Sequence, residues 1–180
     1  GAMPVIRAFD TQNCSGGATL LALHAAEMAK RGRNASEIIA ALTKLRARIA
    51  TFFVLNSFVY IHRSGRVGGL KPILGSLFGV KPVFTFSNGV VRDTDVIKSG
   101  KKVNQWLIET FRKKSGDHST AVIYHAMAQS RAEKLEQELK GLYPDLHTMI
   151  LSVGAVVGVF TGPGCIGLSF ITGEGCKKER

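Results

Sequence analysis

Three stretches between residues 121 and 153 decide the fold class. They are Ala121-Val122-Ile123-Tyr124-His125, then Ser130-Arg131-Ala132-Glu133 continuing to Leu142, then Met149-Ile150-Leu151-Ser152-Val153. The outer two are short, apolar runs with β-branched and aromatic side chains, the pattern of buried strands. The middle one opens with Ser130 three residues before Glu133, a capping-box spacing that predicts a helix to about Leu142. The unit is strand, helix, strand.

The same alternation extends in both directions. Downstream, Ile166 to Ile171 reads as a last strand. Upstream, Lys101 to Lys114 reads as a helix, and Val80–Phe86 and Val90–Ile97 as two strands joined by a Ser87-Asn88-Gly89 hairpin turn. Lys71 to Phe78 is predicted helical, with Pro72 tolerated in its first turn. Thr51 to Leu55 is a strand. Asn34-Ala35-Ser36-Glu37 is a second capping box, opening a helix to about Arg48. Ala18 to Lys30 is a helix stopped by Gly32, and Val5 to Phe9 is a short first strand. The prediction is an α/β fold of two or three layers around a mixed sheet.

The chain has 180 residues, 45% apolar and 21% charged, which suits a folded core and excludes a wholly disordered chain. Gly1-Ala2-Met3 reads as a tag-cleavage scar and is set aside. The formal net charge is +11, most of it in the first ninety residues. Such a balance favours an anionic partner without choosing one. Nucleic acid is not favoured, because no recognised module accompanies the charge. Cys14, Cys165 and Cys176 match no zinc spacing, and a reduced, cytoplasmic setting is the simpler reading. The apolar stretch from Met149 to Phe160 is too short to span a bilayer.

Three loops carry the candidate chemistry. Asp10 to Gly17 lies between a strand and a helix, where Thr11, Ser15 and the amides at Gly16 suit an anion or serve as an ordinary helix start. Gly65-Arg66-Val67-Gly68-Gly69 offers a guanidinium on a pliable backbone; the alternative is a solvated surface turn. Gly158-Val159-Phe160-Thr161-Gly162-Pro163-Gly164-Cys165 lets a ligand approach the backbone. Its Cys165 is a nucleophile only with a lowered pKa, and otherwise a small buried side chain. His125, at a strand end, is the most suggestive of five histidines, all with a structural role as the default.

Read together, these loops resemble the DegV family of bacterial fatty-acid-binding proteins. The resemblance rests on Asp10-Thr11 with Ser15-Gly16-Gly17, and on Leu55 to Ile61 leading to Gly65-Arg66-Val67-Gly68. It rests further on Leu74 to Pro82, His125-Ala126, and Thr161-Gly162-Pro163-Gly164 followed by Gly167. It implies a two-lobed α/β protein that holds a long-chain fatty acid and presents its carboxylate to a separate kinase, which makes an acyl phosphate for phospholipid synthesis. The chain itself would then be a carrier, not an enzyme, with no metal or other cofactor.

The resemblance also implies that the chain starts well inside the family pattern. The expected division is residues 1–62 as the remainder of an N-terminal lobe and residues 63–180 as a C-terminal lobe. Phe160 stands where the family usually has His, which changes the chemistry offered to a head group. The ligand-binding set it implies is Thr11, Ser15, Gly16, Arg66, Gly68, His125, Phe160, Thr161 and Gly162. Candidate apolar lining is Phe53, Phe58, Leu74, Leu77, Phe78 and Ile166, unless these form the protein's own core. Apolar surface left uncovered by a missing lobe would favour a homodimer, and peripheral membrane contact is a further expectation. The competing reading is a degenerate interaction or regulatory domain without an acyl chain.

Overall fold

The computed structural model describes residues 6–65, 79–116 and 118–173. Six helices and six strands alternate along it: α1 (Ser15–Lys30), α2 (Ala35–Arg46), β1 (Ile49–Val54), α3 (Val59–Arg63), β2 (Lys81–Ser87), β3 (Val90–Ile97), α4 (Val103–Lys114), β4 (Thr120–His125), α5 (Gln129–Leu142), β5 (His147–Ser152), α6 (Ala155–Thr161) and β6 (Ile166–Ile171). The strands form one sheet in the order β3-β2-β1-β6-β4-β5. Only β4 and β5 run parallel, joined by the helix crossover α5; the other pairs are antiparallel. The predicted α/β class and mixed sheet are what the chain builds.

Alternation along the strands separates two cores. Phe52 and Val54 of β1, Ala121 and Ile123 of β4, and Ile166, Leu168 and Phe170 of β6 face α4 and α5, where Leu107, Phe111, Leu135 and Leu139 pack on them. Ile49, Phe53, Phe84, Val122 and Tyr124 face the other way, under α1, α2, α3 and α6. The sheet is therefore the middle of three layers.

On this second face a polar band crosses the sheet beneath the start of α1. Thr51 Oγ1 and Ser169 Oγ are 2.9 Å apart and Tyr124 OH donates to Phe52 O at 3.0 Å, while Thr85, level with Phe52 on the opposite face, donates its Oγ1 to Thr51 O. These buried groups are satisfied by one another, as buried polar groups must be. Gly16 lies on the band with no space to spare: a Cβ there would stand 2.8 Å from Ser169 Oγ and 2.9 Å from the Tyr124 ring.

Several expectations are corrected. Residues 6–9 form no strand. Arg46 Nη1 instead donates to Asp10 O, and its guanidinium lies 5.3 Å from the centre of the Phe9 ring, which holds this segment as a loop. The capping box at Asn34 is present in full, but the one at Ser130 is not. Helix α5 starts at Gln129, so Ala128 occupies the cap position, and its N–H donates to His125 Nδ1. The imidazole has displaced the serine as the cap. The helix predicted over Lys71 to Phe78 lies outside the described residues. The sheet takes β1 from residues 1–62 and its other strands from residues 63–180, with β1 hydrogen-bonded on one edge to β2 and on the other to β6.

The close contact at Gly16 generates a prediction. Alanine normally stabilises a helix interior over glycine by about 1 kcal/mol. At Gly16 the neighbours are pinned by their own hydrogen bonds, so Gly16→Ala is expected to lower stability by about 1–3 kcal/mol in urea unfolding. A raised midpoint would show that α1 does not rest on the band.

Candidate functional site

Beside the polar band the second face becomes wholly apolar. Phe53 stacks on Phe84 with centroids 5.5 Å apart, and Phe86 lies 5.7 Å from the same ring. The hairpin register sets Val91 opposite Phe86. Helix α6 passes over this floor and α3 packs against α6. Between them is a cavity of about 380 Å³. Its floor is Phe53, Phe86 and Val91, its roof is Val156, Val157, Phe160 and Thr161 of α6, and its sides are Ile61, the hairpin tip and Cys14. Val156 and Val90 are 74% and 49% exposed, so the apolar wall continues to the surface at the rim.

A larger groove of about 530 Å³ runs between α4 and α5 on the opposite side of the sheet. Lys101, Glu109, Arg112 and Glu138 line it, which suits water more than hydrocarbon. Chemistry rather than size makes the cavity under α6 the candidate site.

The path into and out of α6 is fixed from β4 and α5. Val153 N donates to His125 O before the helix, and Gly164 N donates to Ala126 O after it. Arg131 Nη1 donates to Gly164 O at 3.1 Å. Gly162 ends α6 at φ 68°, where a Cβ would enter the Tyr60 ring, so the turn requires glycine. His125 is buried, its Nδ1 accepting from Ala128 N–H. The proton therefore sits on Nε2, which donates to Gln129 Oε1 at 2.6 Å. Both ring nitrogens are spent on holding the start of α5.

The structure separates the sequence candidates. Phe53, Phe160 and Thr161 line the cavity; Gly162 closes its roof helix. Ser15 and Gly16 open α1 next to the lining residue Cys14, with the Ser15 carbonyl accepting from Thr19. The Thr11 hydroxyl donates to Asn13 O within its own loop. Phe58 packs edge-on against Phe84 behind the cavity. Ile166 faces the other way, fully buried in the core under α4 and α5, because its parity along β6 puts it there. Arg66, Gly68, Leu74, Leu77 and Phe78 lie outside the described residues.

The sequence reading missed Ile61, Phe86, Val91, Val156 and Val157. Phe86 and Val91 were recoverable, since the predicted hairpin turn pairs them across two strands. The α6 residues were not, because four glycines in the stretch from Gly154 to Gly164 disguise a helix of about two turns as a loop.

Burial pushes the Cys14 thiol up to about 11 and the Cys165 thiol up to about 12. Both stay protonated at neutral pH, which removes the activation a nucleophilic cysteine needs. Among the described residues no group of three His, Cys, Asp or Glu side chains could hold a metal ion. Among them, too, no helix is long and apolar enough to cross a membrane.

Comparison with known proteins agrees with this architecture. A family profile described as "Uncharacterised protein, DegV family" matches residues 3–173. A DegV domain-containing protein of Streptomyces coelicolor is 30% identical over 165 residues, 91% of this chain and 59% of its own. The crystal structure of DegV from Bacillus subtilis, described as a fatty acid binding protein, is 28% identical with a TM-score of 0.77, again over 91% of this chain and 59% of that one. The Streptococcus pneumoniae fatty acid kinase B3 protein, solved with linoleic acid, shares the fold with a TM-score of 0.82 at 17% identity, over 90% of this chain and 58% of that one. The chain thus spans just under three fifths of the length of these relatives. On the extent of the profile match and the shared mixed sheet, this chain belongs to the DegV family.

Proposed function

We propose that this chain binds the hydrocarbon tail of a long-chain fatty acid in the cavity under α6 and acts as a carrier without catalysis of its own. The observation that carries the reading is the cavity itself, floored by Phe53, Phe86 and Val91, roofed by Val157 and Phe160, and open through an apolar rim. The description of the Bacillus subtilis relative as a fatty acid binding protein supports the same choice of ligand. Raised thiol pKa values on Cys14 and Cys165 favour a carrier over an acyl-transfer enzyme.

The finer reading is delivery. The family resemblance supports a separate kinase that phosphorylates the carboxylate, with Arg66 on the partner-facing side. Its test is to add a fatty acid kinase catalytic subunit and ATP to the loaded protein. Acyl phosphate is the expected product; its absence removes the delivery step and leaves binding untouched.

Each methylene taken from water into a dry wall gains about 0.8 kcal/mol, or roughly fourfold in affinity. Titration with saturated acids of increasing length is expected to show such steps until the cavity is full. Affinity independent of chain length would remove the hydrocarbon reading. Val157→Asp places a carboxylate in the roof and is expected to weaken binding at least about tenfold. Since Val157 is only partly buried, the urea midpoint should move little.

A further inference from the structure

The two outer strands of the sheet are built differently. Strand β3 carries Arg92, Asp93 and Asp95, all exposed, and its pairing with β2 shifts register between Val83 and Phe84. Charges and irregularities of this kind keep foreign strands off an edge. Strand β5, at the other end, reads His147-Thr148-Met149-Ile150-Leu151-Ser152. It holds no Asp, Glu, Lys, Arg, Pro or Gly, and its parallel ladder with β4 runs without a register shift.

The ladder also fixes which backbone groups are free. His147 N donates to Ser119 O, and Val153 N donates to His125 O. Alternate residues of a parallel strand bond the same neighbour, so His147, Met149, Leu151 and Val153 turn their backbone groups to β4. Thr148, Ile150 and Ser152 turn N–H and C=O outward, where no partner stands among the described residues. Side chains alternate as well. Ile150 packs on the core under α5, and Thr148 Oγ1 donates to Glu136 of that helix. Met149 and Leu151 lie on the other face, where Met149 is 37% exposed.

This edge fits a second copy of itself. About a two-fold axis at Ile150, antiparallel pairing joins the outward groups of Ile150 to those of its own counterpart, and those of Thr148 to Ser152 of the second copy. The same register sets isoleucine beside isoleucine on the α5 face and Met149 beside the second copy's Leu151 on the other. Apolar side chains at the edge are then covered on both faces. No like charges oppose one another along the strand, although each copy carries a net charge of +11. With β3 blocked, one permissive edge per copy closes the assembly at two, and no filament grows.

We propose that β5 is a self-association edge, through which two copies of this chain pair antiparallel and merge their six-stranded sheets into one. The proposal does not depend on the acyl reading. A single short strand pair falls below the about 1,200 Å² of a standard interface, so the association is weak and follows concentration.

The test is sedimentation velocity on the whole chain, from roughly ten to several hundred micromolar. The mass is expected to rise from monomer towards dimer across that range. Ser152→Pro removes an outward N–H that bonds nothing among the described residues, and Met149→Lys sets a charge beside the second copy's Leu151. Each is expected to raise the dimer dissociation constant at least about tenfold, with the far-UV circular dichroism and urea midpoint little changed. Met149→Lys carries the test alone if the proline unfolds the strand. A monomer mass throughout would overturn the proposal, and so would a dimer that persists in either folded variant. A dimer lost in Val156→Asp and kept in Ser152→Pro would put the contact at the exposed cavity rim and overturn it too.

Discussion

Strand β1 has partners on both edges and cores on both faces, and the rest of the molecule is arranged around that constraint. With period two, Phe52 and Val54 go to the core under α4 and α5, while Phe53 goes to the cavity. A shift of one residue in its pairing would exchange the two sets and bring Thr51 into the dry core. The register with β6, held over six residue pairs from Ile49 to Val54, therefore determines both the stability of the sheet and the identity of the pocket floor.

The second face is divided along its length. At one end, Leu20, Leu21, Leu42 and Val122 make a closed core with α1 and α2. At the other, α6 stands away from Phe53 and Phe86 and leaves space. Between the two lies the band of Thr51, Ser169 and Tyr124. Its internal hydrogen bonds let polar side chains sit in the interior without water. It also gives α1 a fixed seat through Gly16, which in turn places Cys14 at the cavity wall. The hydrocarbon site is thus bounded on one side by a polar partition.

Much of this was legible in the residues. Strand periodicity located β1, β2, β3, β4 and β6 within a residue or two, and the Asn34 capping box was read correctly because its partner Glu37 is local. What escaped depends on contacts far apart in sequence. Ser130 lost the cap to His125 because the end of β4 brings the imidazole to Ala128 N–H, and no local pattern shows that. Ile166 looked like lining and proved to be core, since its face follows from pairing with Val54 and His125. In the site, Phe53, Phe160 and Thr161 could be named in advance. The cavity itself depends on α6 folding back over the hairpin, which is tertiary information.

The position of β6 has a consequence for how the chain is made. Strand β6, the last in sequence among the described residues, lies in the middle of the sheet, between β1 and β4. A growing polypeptide can form the β2–β3 hairpin and the β4-α5-β5 unit early, because their contacts are local. The two halves stay unjoined until Ile166 to Ile171 leaves the ribosome. Until then, β1 and β4 each present an open edge of the kind that invites pairing with foreign strands. Joining of the two halves waits on β6, and a ribosome stalled just short of it would leave two sticky fragments rather than a sheet with a frayed edge.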